Sequence, residues 1–519
     1  MGQIIHVFRK DVRRHWPEIV LSIAILIAFA LDEPSQWLPW TLQRAPEILL
    51  RRLLHSWLTP MVPIGWLFLI VRLVHGENLV GDRQFWVTRP YQWKKLITAK
   101  AMLMAASINV PLLLVQVALV WKAGFPPTHY VAGMLWIQCL WFTFLILPMT
   151  TLSAVTSGLG QTVLVLLGVL LSLIGLAALS SFIPDTTLPI AQRIPEWFQP
   201  ALLLGTFVVA ILWQYARRRT LQSRLLLTGA AAVVLVITAV KPNESFDAHA
   251  YPQPPSGQQL PVQLGFDPAK PTSTSGDLIE QNNKVQTRIP LLVSGIAQDA
   301  VVIDGMNVEV ETAGGLRWSS GWFTSRVPLL PAQTHAGAFF AIDKPFFEEA
   351  KTSSAKIHIS FAVTAIQPKE THRITISANE FAMSSNVWCS MDSDLRLQCR
   401  SPLKVPFLLA TSLSEETTCP PEEKEKVAPP GTILYAALWN GDVAPAEFGI
   451  SPVKTFPLQF SDASGEFRAR LCPGTPLVFS LLEGLQRTRT ELTIEGLRLV
   501  DYALKNNWPG GTATGVAVF

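Results

Sequence analysis

Residues 221–252 read LQSRLLLTGAAAVVLVITAVKPNESFDAHAYP, and the change of character at Val240 sets the organisation of the whole chain. Leu225 to Val240 carries no charge and is bounded by Arg224 on one side and Lys241-Pro242 on the other. A hydrocarbon core of about 30 Å needs roughly 20 apolar residues, which this run reaches by borrowing its flanks. Similar runs crowd the sequence before it. Lys241 to Phe519 has instead the mixed, turn-rich composition of a water-soluble domain. Charged residues are 15% of the 519 and apolar residues 49%, whereas ordinary soluble domains carry about 25% charge. The deficit is larger before Val240.

Seven runs read as spans: Trp16–Leu31, Pro60–Val74, Met102–Trp121, Val131–Ser153, Thr162–Ile183, Ala201–Tyr215 and Leu225–Val240. Trp16, Trp57, Trp121 and Trp213 stand at or near run ends, as in an aromatic belt. Arg9, Lys10, Arg13 and Arg14 fall on one side, with Arg83, Arg89, Lys94, Lys95 and Lys100, and then Arg217, Arg218, Arg219 and Arg224. The opposite loops hold Arg44, Arg51, Arg52, Lys122 and Arg193. The positive-inside rule then predicts a multi-pass protein of the plasma (inner) membrane with a cytoplasmic N-terminus. An odd number of spans places everything after Val240 outside. The net charge of +4 comes with no Lys/Arg block resembling a nucleic-acid arm.

Of the five cysteines, Cys139 lies in an apolar run as a small buried hydrophobe, and Cys389, Cys399, Cys419 and Cys472 fall in the second half. There is no C-x-x-C pair and no His at zinc-ligand spacing, so no metal site is expected. Among the possible connectivities the favoured one has Cys389–Cys399 as a hairpin staple and Cys419–Cys472 as a loop clasp; free thiols are the alternative. Paired cysteines agree with an oxidising, extracytoplasmic compartment.

At the N-terminus, Ile4, Ile5, Phe8 and Val12 interleave with Arg9, Lys10, Arg13 and Arg14, which predicts an amphipathic helix on the inner membrane face. A signal peptide ending at Ala28-Phe29-Ala30 is the competing reading. Leu42 to Trp57 reads equally as a second interfacial helix or as a lead-in to the second span. Between the second and third spans comes His75-Gly76-Glu77-Asn78-Leu79-Val80-Gly81-Asp82-Arg83-Gln84-Phe85-Trp86-Val87-Thr88-Arg89-Pro90, then Tyr91 to Lys100. Its mixture of charge with Phe85, Trp86, Tyr91 and Trp93 is typical of a docking surface. The alternative is a basic loop that only anchors topology. Arg89-Pro90 stops one short helix, and Gln92 to Lys100 begins the next.

From the N-terminus to Tyr215 the chain resembles the permease subunits of type-2 ABC exporters. The resemblance rests on Glu77, Gly81, Phe85-Trp86, Arg89-Pro90, Lys94-Lys95 and Ala99-Lys100, which match that family's degenerate coupling-loop pattern. It implies that Glu77, Gly81, Arg83, Phe85, Trp86, Arg89, Pro90, Lys94, Lys95 and Lys100 dock on an ATPase subunit. It also implies a dimer, as two copies or with a related permease, and short re-entrant helices near Pro195-Glu196-Trp197-Phe198, a stretch that an ordinary interfacial Trp explains equally well. No G-x-x-x-x-G-K-[ST] phosphate loop occurs, so this chain would bind no cofactor and ATP and Mg would belong to the partner. The seventh span and the large outer domain depart from the family pattern.

Asn109 and Gln116 in the third span, and Gln138 and Thr143 in the fourth, are possible pathway-lining residues, with Thr150, Thr151 and Thr156 beyond. Helix packing is the ordinary role for such groups. Lys241 to Thr274, rich in Pro, Ser and Gln, reads as an extended linker (241–275). Beyond it, alternating runs at Val285–Ile296, Val301–Glu311, Lys356–Ile366, His372–Ala378, Ile433–Asn440, Leu477–Leu482 and Thr490–Val500 predict an all-β region of two β-sandwich units, 276–400 and 401–519. Glu415–Pro430 reads as a solvated loop. His335, His358 and His372 have no motif partner, and neither G-x-S-x-G nor H-E-x-x-H occurs, so no active site is expected.

Overall fold

The computed structural model describes residues 2–37, 46–76, 92–180, 198–217 and 219–240 of the first half. Between 246 and 505 it describes all but short stretches and the longer ones 255–261, 269–276, 414–433 and 440–448. The chain forms two compact units. The first comprises Met1–Asn243 together with two short later stretches, Arg400–Leu403 and Pro445–Thr455; the second holds the remainder.

The first unit is helical: α1 (Gly2–Arg14), α2 (Trp16–Asp32), α3 (Pro46–His75), α4 (Trp93–Met104), α5 (Val110–Lys122), α6 (Val131–Trp141), α7 (Leu147–Val155), α8 (Leu159–Ser180), α9 (Phe198–Arg217) and α10 (Thr220–Val240). Each apolar run of the sequence is helical over its described residues, the third running from α4 into α5 and the fourth from α6 into α7. Leu53–His75, Trp93–Lys122, Pro127–Val155, Phe198–Arg217 and Thr220–Ile237 are each long and apolar enough to cross a membrane. The pair α1 and α2, bent by 73°, makes a sixth if it counts as one span, and the apolar part of α8, Leu159–Ser172, is shorter. Leu114, Trp121, Trp136, Leu164, Leu171 and Leu225 are all more than half exposed, a surface suited to lipid rather than water.

The bend between α1 and α2 falls at His15, just before the Trp16-Pro17 pair, where proline opens the second helix with no N–H to leave unpaired. α3 runs unbroken for 30 residues, about 45 Å. From Pro46 onward the Leu42–Trp57 stretch is therefore the lead-in to the second span. The third and fourth runs share a device. Each widens to a π-helical turn, at Ala105–Asn109 and at Phe142–Ile146, shortly before a proline at Pro111 or Pro148. Proline removes a backbone donor and crowds the carbonyl four residues back, and a widened turn relieves both while the helix continues.

The second unit is built on β-sheets. Its strands are β1 (Gln263–Phe266), β2 (Glu280–Gln281), β3 (Lys284–Ser294), β4 (Ala300–Thr312), β5 (Arg317–Leu329), β6 (His335–Asp343), β7 (Ala355–Thr375), β8 (Phe381–Ser384), β9 (Val387–Met391), β10 (Leu397–Pro402), β11 (Leu408–Leu413), β12 (Leu434–Trp439), β13 (Val453–Leu458), β14 (Phe460–Ser461), β15 (Arg468–Ala469) and β16 (Pro476–Leu497), with a short helix α11 (Lys344–Ala350). Eight strands pair in the order β15-β14-β12-β11-β16-β7-β4-β5, and a smaller sheet runs β1-β3-β2 with β6 also on β3. Val285, Ile289 and Leu291 of β3 share one core with Met306, Val308 and Val310 of β4 and with Ile357, Ile359 and Phe361 of β7. The alternation read from Lys356 to Phe361 is thus the buried face of β7.

Two expectations are corrected here. β7 pairs with β16 from Ala355–Leu497 to Thr375–Pro476, so one sheet draws strands from both sides of Ser401 and does not divide there. Lys241 to Thr274 is not wholly an extended linker, because β1 pairs with β3 and Tyr251 is buried. The Tyr251 hydroxyl donates to Asp304 at 2.8 Å, and burial followed by the Asp304 charge pushes its pKa up to about 12. The Phe246 ring lies over Gly305, where a Cβ would stand 2.6 Å from it, and stacks on Trp322 at 5.7 Å. Cys389 and Cys399, on neighbouring strands, are disulfide-bonded with Cα atoms 4.0 Å apart. Cys419, Cys472 and Glu415–Pro430 lie outside the described residues.

Candidate functional site

Two polar assemblies lie inside the helical unit, one at the end carrying α1 and one in the interior. The first is centred on Lys100. Its side chain is 2% exposed and its ammonium lies 2.8 Å from Asp11 Oδ2, itself 3% exposed. It also donates to the Leu73 carbonyl at 3.0 Å. One buried cation therefore joins α1, the last turn of α3 and the first turns of α4. Arg14 adds a hydrogen bond to the Gly76 carbonyl at 3.2 Å, and Arg72 pairs with Glu18 at 3.3 Å. Across the same end Arg224 donates to the Val155 carbonyl at 2.9 Å, and His75 meets Thr156 at 3.1 Å. Cations on helix C-terminal carbonyls are favoured by both the unpaired acceptors and the helix dipole.

The helices that flank the stretch between Gly76 and Gln92, α3 and α4, thereby share one buried network through Leu73 and Lys100. Glu77, Gly81, Arg83, Phe85, Trp86, Arg89 and Pro90 lie outside the described residues. Lys94 is exposed, 5.7 Å from the Trp93 ring, and Lys95 is half-buried. Lys100, expected on a docking surface, is a buried strut instead. Asp11, His15 and Glu18 were not expected in this network; Asp11 lies in the last turn of α1, His15 stands at the bend and Glu18 opens α2, among the exposed Arg9, Lys10, Arg13 and Arg14.

The second assembly is a hydrogen-bonded chain. Asn109 Nδ2 donates to Gln138 Oε1 at 3.0 Å, Gln138 Nε2 donates to Gln116 Oε1 at 2.9 Å, and Gln116 Nε2 donates to the Ile450 carbonyl at 3.3 Å. Asn109 closes the first π-turn and Gln138 stands four residues before the second, so both widened turns border the chain. Three of the four residues read as possible pathway lining are brought together. Thr143 does not join them among the described contacts, and Thr150 and Thr151 bond back to their own helix at Ile146 and Leu147.

From Gln116 to the end of α5 at Lys122 is about 9 Å, and from Asn109 about 20 Å, so the chain runs from near mid-helix toward one end. At that end Glu33 is buried, and next to Ile450 the Ser451 hydroxyl donates to the Val453 carbonyl at 3.1 Å. His55 stands 3.0 Å from Asp32 and 3.5 Å from Glu33. This is the end opposite the Lys100 network, since α2 leaves His15 and reaches Asp32, and α3 passes His55 before reaching His75.

Outside the helical unit, His335 pairs with Asp267 at 3.1 Å and His358 with Thr493 at 3.0 Å. Among the described residues no cluster of three His, Cys, Asp or Glu is arranged to hold a metal ion. No protein-family model matches the chain, and no curated protein matches it.

Proposed function

We propose that the chain is the membrane-spanning permease subunit of an ABC-type exporter. In this reading about seven helices cross the membrane, the N-terminus is cytoplasmic and the β-rich half is extracytoplasmic. The chain works as a dimer, with itself or with a related permease. ATP hydrolysis belongs to a separate ATPase subunit, which holds ATP and Mg, and drives substrate across the membrane.

The observation that carries the reading is the placement of Lys100. A stretch of chain that a partner could push, residues 77–91, lies between two helices, α3 and α4, that meet through the Lys100 ammonium, which is paired with Asp11 of α1. Such a network moves as a piece, because parting the two charges inside a low-dielectric site is costly. Force on the loop would reach α1, α3 and α4 together. The interior amide chain supplies exchangeable donors and acceptors along the route that a moving bundle would open. The Ile450 carbonyl, from the second half of the sequence, accepts from Gln116 inside the helical unit.

The test is to purify the full-length protein from its native membranes in mild detergent and identify what accompanies it. A nucleotide-hydrolysing subunit is expected, and charge reversal at Arg83, Arg89, Lys94 and Lys95 releases it. A second reading, a non-transporting membrane-anchored binding, sensing or assembly protein, is favoured by the occupation of the interior chain by Ile450. It prevails if no ATPase associates and the reversals are silent.

A further inference from the structure

The single carboxylate of α1 is turned inward. Val7 and Asp11 are buried and Ile4, Phe8 and Val12 half-buried, and this side of the helix is joined to α4 by the Asp11–Lys100 pair. The other side, with Ile5, His6, Arg9, Lys10 and Arg13, is exposed. Among the described residues no carboxylate pairs with Arg9, Lys10 or Arg13. Asp11 cannot offset them, because its charge is already met by Lys100 at 2.8 Å. The outer side of α1 is therefore cationic without compensation, and Ile5, Arg9 and Arg13, spaced by four, align along it.

The setting of the helix says what meets that charge. α2 continues from the bend with Trp16, Val20, Ile27 and Leu31 all exposed. An apolar strip of this kind, opened by an indole, suits a helix whose outer side faces lipid. α2 has 17 residues, the least that spans a hydrocarbon core, so its Trp16 end stands level with the headgroups. α1 leaves that end at 73° to α2. A helix so inclined to a span along the membrane normal runs close to the membrane plane. Ile5, 47% exposed, and Trp16, 60% exposed, flank the cations. That mixture fits the boundary between headgroups and acyl chains better than the surface of a soluble acidic partner.

We infer that the outer side of α1 is a binding surface for anionic phospholipid, with Arg9, Lys10 and Arg13 on the phosphate groups and Ile5 and Trp16 at the acyl boundary. Most of the apolar residues of α1 are on the side joined to α4, so charge rather than apolar burial attaches the helix to the membrane. Asp11 ties the same helix to Lys100, and the lipid thereby steadies the junction beside residues 77–91. The inference needs a membrane and is independent of any ATPase.

The test places the full-length chain in nanodiscs of phosphatidylcholine alone, or mixed equally with phosphatidylglycerol, and follows hydrogen exchange of residues 2–14. Exchange slows several-fold in the mixed discs. The difference disappears at about 1 M salt, where charges are screened beyond about 3 Å. A chain carrying Arg9→Gln, Lys10→Gln and Arg13→Gln together keeps the Asp11–Lys100 pair and exchanges alike in both lipids. Native mass spectrometry in detergent then reads lipid affinity. The triple variant loses about a hundredfold for phosphatidylglycerol, about fivefold per cation, and nothing for phosphatidylcholine. The wild-type comparison requires no substitution, so it decides the matter even where the variant folds poorly. Equal exchange of wild-type α1 in the two lipids at low salt overturns the inference, as does a triple variant that still slows in phosphatidylglycerol. Release of a bound acidic protein by the variant, with lipid affinity unchanged, also overturns it.

Discussion

Lys100→Met removes the ammonium group at the junction of three helices and keeps much of the side chain's length and apolar bulk. In the wild type that ammonium is 2% exposed, 2.8 Å from Asp11 and 3.0 Å from the Leu73 carbonyl. The substitution strands the Asp11 carboxylate in a site only 3% exposed. Losing one partner of a buried pair costs about 3–5 kcal/mol, and the orphaned Leu73 carbonyl adds about 1 kcal/mol. We expect Lys100→Met to destabilise the helical unit by about 4 kcal/mol and Asp11→Asn by about 3 kcal/mol. The double variant leaves no unpaired charge. It should therefore recover at least about 2 kcal/mol against the sum of the singles, within the usual range for residues in contact. The assay is equilibrium unfolding of the three variants in mixed detergent with increasing dodecyl sulfate, following helical circular dichroism. Additivity of the two single effects to within about 0.5 kcal/mol would refute the claim that these side chains form one buried pair.

Further outcomes follow from the same contacts. Gln138→Leu cuts the amide chain at both of its bonds and should cost about 1–2 kcal/mol in the same unfolding assay, with Asn109→Leu costing less. Gly305→Ala places a methyl group where the Phe246 ring lies, and should destabilise the β unit by about 1–3 kcal/mol, read from urea unfolding of the full chain. The Tyr251 phenol, raised to about 12, should be the last tyrosine to ionise in an alkaline absorbance titration, and Tyr251→Phe removes that step. Because the folded pKa is the higher one, its contribution to stability is complete below the ordinary tyrosine value of about 10 and is lost as pH rises through about 12. Replacing Cys389 and Cys399 by serine opens a short loop and should cost about 3 kcal/mol, measured against the wild type with and without reductant.

The positions of the helices were legible because long uncharged runs mark helices apolar enough to cross a membrane, and over the described residues each such run is helical here. Two prolines inside those runs, Pro111 and Pro148, signalled irregularity without revealing its form. The π-turns ahead of them depend on how neighbouring helices fill the freed space. In the β half, the stretches read as four separate strands are two long ones, β7 and β16. Register shifts between Leu481 and Leu482 and between Gly484 and Gln486 reverse the alternation partway, so the pattern reads as two short runs. The division at Ser401 failed for a related reason: pairing of β7 with β16 is a long-range choice with no local marker. In the interior chain, Asn109, Gln116 and Gln138 stood out as polar residues in apolar runs. Their last partner is a main-chain carbonyl, which no side-chain pattern reports. Asp11 was masked by the cations around it, and Lys100 looked like one more surface lysine beside Lys94 and Lys95.

The account depends most directly on the loop rooted at Lys100 facing the cytoplasm while the β-rich half faces out. The decisive measurement is labelling of intact cells with a membrane-impermeant maleimide, using Lys94→Cys and Gln253→Cys separately in a background with Cys139, Cys419 and Cys472 replaced by serine. We predict that Gln253→Cys is labelled at once and that Lys94→Cys is labelled only after the membrane is permeabilised. Labelling of Lys94→Cys in intact cells would put the loop outside, beyond the reach of any cytoplasmic ATPase, and would contradict the exporter account.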